Sequence, residues 1–342
     1  MRRFICIVLL LWNSYSYSQA INEPQCIRLD YFFALKKKTA EAYWPGFDAK
    51  LLYGPMIFYS NAGTYVINPN KKLKERLKYT EVKNCLRHGF IGKVVGMIDT
   101  THFNMQVDYD EEDSTALHFF NAVASVSDIG IARIFVPKIN NIEEWMGMIL
   151  HESFHLYQTS FPAFKEYQNS TQKVFSRDTL LFFYEHEDWY KDAINKEYDL
   201  LLHALDSKDQ QKTVVYIENF LNSRDQRFKK ISLKYGVDVR ALEDMLERSE
   251  GVARYMEYCM KRVVKDIPFI PRLQLTDTLY HFGEYARYDM EPDPFMNKPG
   301  KQYFYAIGLN LARLLESRHI NFTNMYRDNI PFENYLERIG RQ

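Results

Sequence analysis

The stretch Trp145-Met146-Gly147-Met148-Ile149-Leu150-His151-Glu152-Ser153-Phe154-His155-Leu156-Tyr157-Gln158 decides how the rest of the chain is read. Its apolar residues predict a buried helix over 142–159. Two histidines four apart on such a helix lie about 40° from one another, one turn up the same face. Both imidazoles can therefore reach one Zn²⁺ at about 2.0–2.1 Å. Glu152 projects about 100° away from His151. It can sit beside a metal without binding it and act as general base towards a zinc-activated water. Three ionisable groups in a buried helix must be paired or must hold a metal, because an isolated buried charge is too costly.

A catalytic zinc needs a third protein ligand and an open fourth position. The spacing with Gly at 158 and His at 161 is excluded, because Gln158 and Phe161 stand there. A glutamate 19 or 20 positions beyond His155 is excluded too, since those positions are Val174 and Phe175. Further on, Arg248-Ser249-Glu250-Gly251-Val252-Ala253-Arg254-Tyr255-Met256-Glu257 combines acids with small residues. Glycine inside a helix costs about 1 kcal/mol relative to alanine, so Gly251 has a packing or functional reason. Gly251 and Ala253 are expected to let this helix approach the histidine helix closely. Glu247, Glu250 and Glu257 share one helical stripe with Glu243 and Arg254. Glu250 is the expected ligand, with Glu247 and Glu257 flanked by bulkier residues, and Glu243 is expected on a solvated face.

Glu250-Gly251-Val252-Ala253-Arg254-Tyr255 resembles the third-ligand motif of the gluzincin metallopeptidases, the aminopeptidase N branch in particular. Paired with His151-Glu152-x-x-His155, the resemblance implies a zinc peptidase. His151, His155 and Glu250 would be the metal ligands and Glu152 the catalytic base. The 94 residues of 156–249 make a longer insert than the aminopeptidases use, and no Gly-Ala-Met-Glu-Asn motif occurs. The chain therefore looks like a long-insert group of secreted gluzincin-like proteins. Two other functions fit the same residues. One is an inactive binding protein that keeps the metal for structure; the other is a zinc hydrolase of a non-peptide amide.

Outward from this segment, 342 residues predict about two domains, or one large one. Forty-four Lys+Arg balance 44 Asp+Glu, and that neutrality argues against a nucleic-acid partner. With 46% apolar residues the chain can build a core. Arg2 and Arg3, the apolar run Phe4–Trp12 and Ser16-Tyr17-Ser18 form a secretory signal over 1–18. The mature protein is expected to be exported, periplasmic or secreted, with no membrane span and a peptide or protein as substrate. Cys26, Cys85 and Cys259 then remain. They allow one disulfide, though buried small residues are the expected role.

The pattern predicts an α+β fold, mostly helical. A strand-rich α+β part over 19–138 precedes a helical zinc-binding part over 139–342. A helix is expected from Cys26 to Tyr43, and a hairpin from Pro55–Tyr59 and Thr64–Asn68 around Ser60–Gly63. A basic helix is expected over 71–88. Strands follow at Lys93–Asp99, Phe103–Asp108, near Ala116–Ser125 and at Ile129–Val136; the gluzincin resemblance implies that the last could be the edge that pairs with extended substrate, and an ordinary core strand is the other reading. Helices are expected at about 178–206, 209–233, 238–265, 301–318 and 332–340. Tyr303 or Tyr305 could donate to a tetrahedral oxyanion. With 25 tyrosines in the chain, a core role is the simpler expectation for either. His281, Tyr285 and Tyr288 could line a cleft.

Overall fold

The computed structural model describes residues 21–47, 54–96, 124–137, 139–282 and 299–339. The segment 1–18 expected to be a secretory signal, the strand expected at Phe103–Asp108, most of that near Ala116–Ser125, and Tyr285 and Tyr288 lie outside the described residues. The fold is α+β and mostly helical, with one five-stranded sheet. No helix among the described residues is long and apolar enough to cross a membrane. The chain divides into two compact units that interleave in sequence. One comprises 1–33, 53–145 and 270–280; the other comprises 34–52, 146–269 and 281–342.

The first unit is built on the hairpin. Strands β1 (Met56–Ser60) and β2 (Gly63–Ile67) pair antiparallel, with Met56 opposite Ile67. Gly63 sits at φ 126°, a region open to glycine and strained for other residues. The expected helix over 71–88 is only α2 (Lys71–Arg76), whose N–H at Leu73 is capped by Asn70. The chain then turns extended into β3 (Tyr79–Glu81) and β4 (Ile91–Val94). Sheet order is β3-β4-β2-β1-β5, with β5 (Ala124–Ser127) parallel to β1. Ile57, Tyr59, Val66, Leu73, Leu77 and Val94 form one core cluster. The alternation of Ile57 and Tyr59 against Met56 and Phe58 is the period-two signature of a sheet covered on both faces.

Two expectations are corrected here. Ile129–Val136 is not a strand: it forms α3 (Ile129–Phe135). The ladder ends one residue earlier, where Asp128 N–H donates to Tyr59 O, and Ile131 and Ala132 then bond back to Asp128 O. Ile129, Ile131 and Ala132 are buried while Ile134 and Phe135 are exposed. A short apolar run cannot be assigned by periodicity alone, and β-branched content misleads there. Nor are all the cysteines simple packing residues. Cys26 and Cys85 form a disulfide across a separation of 59 residues, and Cys259 is free and buried. Closing a loop that long contributes about 4 kcal/mol in the chain-entropy picture. Cys26 sits on α1 (Glu23–Tyr43), longer at its start than the helix expected from Cys26.

The second unit is helical. The expected histidine helix is α4 (Ile142–Thr159), and α5 (Pro162–Val174) follows, opened by a proline where its missing N–H costs nothing. One helix expected over 178–206 is two, α6 (Arg177–His186) and α7 (Asp188–Asp206), because Glu187 takes an extended backbone (φ −124°, ψ 96°). Its carboxylate is taken up by Lys234, Tyr235 and Trp189. Helix α8 (Gln210–Tyr235) starts at an Asp209 cap and stops at left-handed Gly236. The helix expected over 238–265 is α9 (Arg240–Leu246), a π-turn (Glu247–Gly251) and α10 (Val252–Val263), closed by a short 3₁₀ turn. Short α11 (Pro271–Thr276) belongs to the first unit. Helices α12 (Tyr303–Ser317) and α13 (Phe332–Ile339) complete the chain.

Candidate metal centre

The i→i+5 bonding of the π-turn adds a residue to the turn. It rotates everything beyond by about 100° relative to a continuous helix. That rotation splits the acidic stripe in two. Glu243 and Glu247 face α8, where Arg227 Nη2 donates to Glu243 Oε1 at 2.6 Å. Arg224 grips Glu247 bidentately at 2.8 and 2.6 Å. Arg227 also binds Glu197 on α7 at 2.7 Å. The Tyr303 hydroxyl donates to Glu243, and Tyr190 bonds to both. Glu243 is therefore fully buried, not on a solvated face. Burial works to raise its carboxyl, but Arg227 and Arg224 outweigh that and hold it near 2.

Glu250 and Glu257 face α4 instead. Glu250 Oε2 lies 3.3 Å from His151 Nε2 and 3.5 Å from His155 Nε2. These three ligand atoms all fall within 4.8 Å of one another and could hold a metal ion. An ion with tetrahedral bonds of about 2.1 Å requires ligand atoms about 3.4 Å apart. The two His–Glu separations meet that requirement without any movement of side chains. Glu250 and Glu257 are seven residues apart, two helical turns, so both reach His151: Glu257 Oε1 lies 2.6 Å from its Nδ1. Arg254 Nη1 in turn donates to Glu257 at 3.2 and 3.0 Å.

His155 is held differently. Its Nδ1 lies 2.7 Å from Gln158 Oε1, one helical turn along the same face. Behind α4, Trp44 packs edge-on to Phe154 at 5.0 Å between ring centres, and Tyr326 and Phe322 close on Trp44. This aromatic packing fixes the rotation of the helix and thus the direction of both imidazoles.

The buried groups of the cluster shift one another's protonation. Burial works against a proton on His151, yet hydrogen bonds to Glu250 and Glu257 raise it to about 9. Burial likewise opposes a proton on His155, and Glu250 outweighs it to raise that ring. Glu250 is held well below the usual carboxylate range by the two histidines, against the pull of burial. Glu152 moves the opposite way. Burial raises its carboxyl, aided by Glu250 and Glu257, despite both histidines. Among the described residues no hydrogen bond holds that carboxylate.

Tyr303 and Tyr305, equivalent in sequence, separate here. Tyr303 is fully buried, and its hydroxyl proton is given to Glu243. Tyr305 is half-buried and stacks on His151 with centroids 6.2 Å apart, and Arg177 Nη2 donates to its hydroxyl at 3.3 Å. Burial and the nearby Glu250 both raise its hydroxyl pKa, so it stays a proton donor at neutral pH. His281 is half-buried at the end of the described stretch.

Gly251 is corrected in its partner. A methyl group on it would lie 2.4 Å from Gly308 Cα, so the close approach is to α12 and not to the histidine helix. Gly308 was not singled out from sequence, although it is a helix-interior glycine three residues after Tyr305, the same signal that marked Gly251. The small residue of α4 that faces α10 is Gly147, beside Met260 and Glu257. In the sequence Gln158 stands out only as the residue that breaks another spacing. Its i+3 relation to His155 was the available signal. No family model matches the chain, and neither a curated protein nor a solved structure does so.

Proposed function

We propose that the protein is an exported, gluzincin-like zinc metallopeptidase. The observation that carries the reading is the convergence of His151, His155 and Glu250, whose ligand atoms all lie within 4.8 Å of one another and whose two His–Glu separations are 3.3 and 3.5 Å, with the Glu152 carboxyl, raised by burial, on the same helix. Two imidazoles and one carboxylate are a donor set suited to catalytic zinc, which keeps its fourth position open. Bound there, Zn²⁺ would supply Lewis acidity and lower the pKa of water to about 7. Glu152 would accept the proton of the attacking water and deliver it to the leaving amine. Glu257 would orient His151 through Nδ1, and Arg254 would balance the charge of Glu257. Tyr305 would donate its hydroxyl to the developing oxyanion. The disulfide between Cys26 and Cys85 supports an oxidising compartment, as export requires.

The test is elemental analysis of the purified chain together with turnover of a peptide library. The reading expects one zinc per chain, lost in His155→Ala. It expects Glu152→Gln to retain zinc and fold but lose activity by at least the factor of about 10²–10⁴ typical of a general base. A stoichiometric metal that survives His155→Ala, or undiminished turnover in Glu152→Gln, would overturn it.

A further inference from the structure

We propose that Gln158 is a positioning residue that sets the tautomer of His155 and ties that ring to the turn carrying Glu250. The inference rests on the metal-site reading above and concerns how the site is organised before any metal arrives.

The orientation of the Gln158 amide follows from its surroundings. Its side chain is fully buried. One end faces Ser249 O at 2.8 Å, Arg248 O at 3.3 Å and the Tyr326 hydroxyl at 2.9 Å. Two of these are backbone carbonyls, which only accept. Tyr326 spends its own proton on Arg248 O at 2.8 Å, so its oxygen accepts as well. Three acceptors demand a donor, and the amide nitrogen must occupy that end. Turning the amide over would set its oxygen against two carbonyl oxygens in a buried place, where unpaired polar atoms cost about 1–3 kcal/mol each.

The other end of the amide is therefore an oxygen, 2.7 Å from His155 Nδ1. An amide oxygen can only accept, so neutral His155 carries its proton on Nδ1. Its Nε2 then presents a lone pair towards Glu250. The carbonyls gripped by the same amide belong to the two residues before Glu250, within the π-turn. One side chain thus fixes the direction of the second imidazole and the backbone position of the third ligand. His151 receives the equivalent support from a carboxylate, Glu257. A neutral amide at His155 does the same task without adding a further negative charge to Glu152, Glu250 and Glu257.

The test uses the full mature chain, metal-free and at a pH where His155 is neutral. Long-range proton–nitrogen correlation spectra distinguish Nδ1–H from Nε2–H. Wild type should show Nδ1–H at His155. Gln158→Leu, of similar size but with neither donor nor acceptor, should show a mixture of tautomers. It should also bind zinc about 10–100-fold more weakly, as for other residues that orient metal ligands. Tyr326→Phe perturbs the same buried amide without touching the ring. It should keep the Nδ1–H tautomer and near wild-type zinc affinity, even if it lowers stability. An Nε2–H tautomer in wild type overturns the proposal, whether or not Gln158→Leu folds. An unchanged tautomer and affinity in a folded Gln158→Leu overturns it equally. Failure of the wild-type chain to bind zinc would instead sink the metal-site reading, a separate outcome that the tautomer measurement does not share.

Discussion

Replacing Gly251 by alanine would set a methyl carbon 2.4 Å from Gly308 Cα, 2.7 Å from Gly308 C and 3.0 Å from Leu309 N. Carbon atoms in good contact stand about 3.5–4.0 Å apart, so the π-turn and α12 must separate by about 1 Å. Every atom in the way is backbone, and no side chain can swing aside. Two effects oppose each other. Alanine is the better helix former by about 1 kcal/mol. Forced overpacking costs about 1–3 kcal/mol, and rigid backbone on both sides puts this case at the upper end. The expected net loss is about 2 kcal/mol, by difference of those two terms. Glu250 is the adjacent residue, so relief of the clash moves the carboxylate away from the histidines. If 1.4 kcal/mol of strain is relieved that way, zinc affinity falls about tenfold. Gly147→Ala is the control. Its added methyl meets Met260 Cε at 3.7 Å and Glu257 carbons at 3.9 Å, ordinary contacts, so only the gain in helix propensity remains. Urea denaturation of the metal-free variants and zinc calorimetry measure both effects. Should Gly251→Ala match Gly147→Ala in stability and in zinc affinity, the close crossing does not hold the ligand turn in place.

Four further outcomes are expected. Glu257→Gln should weaken zinc binding about 10–100-fold by depriving His151 of its charged partner. Glu247→Gln should leave zinc affinity unchanged but cost stability on the order of 3 kcal/mol, because it breaks a buried pair with Arg224; calorimetry and denaturation read the two variants apart, and a reversed pattern would refute the split stripe. Tyr305→Phe should lower kcat about 10²–10³-fold, whereas Tyr303→Phe should lower stability and spare kcat, because its hydroxyl serves Glu243. Burial pushes Lys36 down from 10.5 to about 7, so between those values the unfolded chain binds a proton that the folded chain does not. This stability is complete above about 10.5 and lost as pH falls to 7, with an upper bound on the order of 4–5 kcal/mol. Lys36→Met should be more stable than wild type at pH 7 and lose most of that advantage by pH 10; an advantage constant with pH would contradict the shift.

The pairing of His151 with His155 was legible in the sequence because their spacing encodes geometry within one element. His151 and His155 are four apart on a helix whose apolar residues fix its buried face. The hairpin at 56–67 was legible for the same reason, through alternation around Asn61-Ala62-Gly63. Helix and strand are hard to tell apart in a short apolar run, and Ile129–Phe135 went to the helix because Asp128 ends the ladder. Cys26 and Cys85 gave no sign of pairing, since only folding brings residues 59 apart in sequence together.

Glu250 converges on the histidines as expected, but for a different reason. The close approach inferred from Gly251 is real and is made to Gly308 on α12, a helix that begins more than fifty residues later. In a regular α-helix Glu243, Glu247, Glu250 and Glu257 would share one face, and nothing local separates them. The π-turn separates them. An extra residue in one turn survives only when tertiary contacts on both sides compensate its weaker packing. Here Arg224 holds Glu247 from one side, Gly308 admits Gly251 from another, and Gln158 binds the carbonyls of Arg248 and Ser249. Local spacing determined which side chains could meet a metal. The rotation that sends two glutamates to an arginine network and two to the histidines was decided by contacts distant in sequence, because only they supply the partners that make that turn stable.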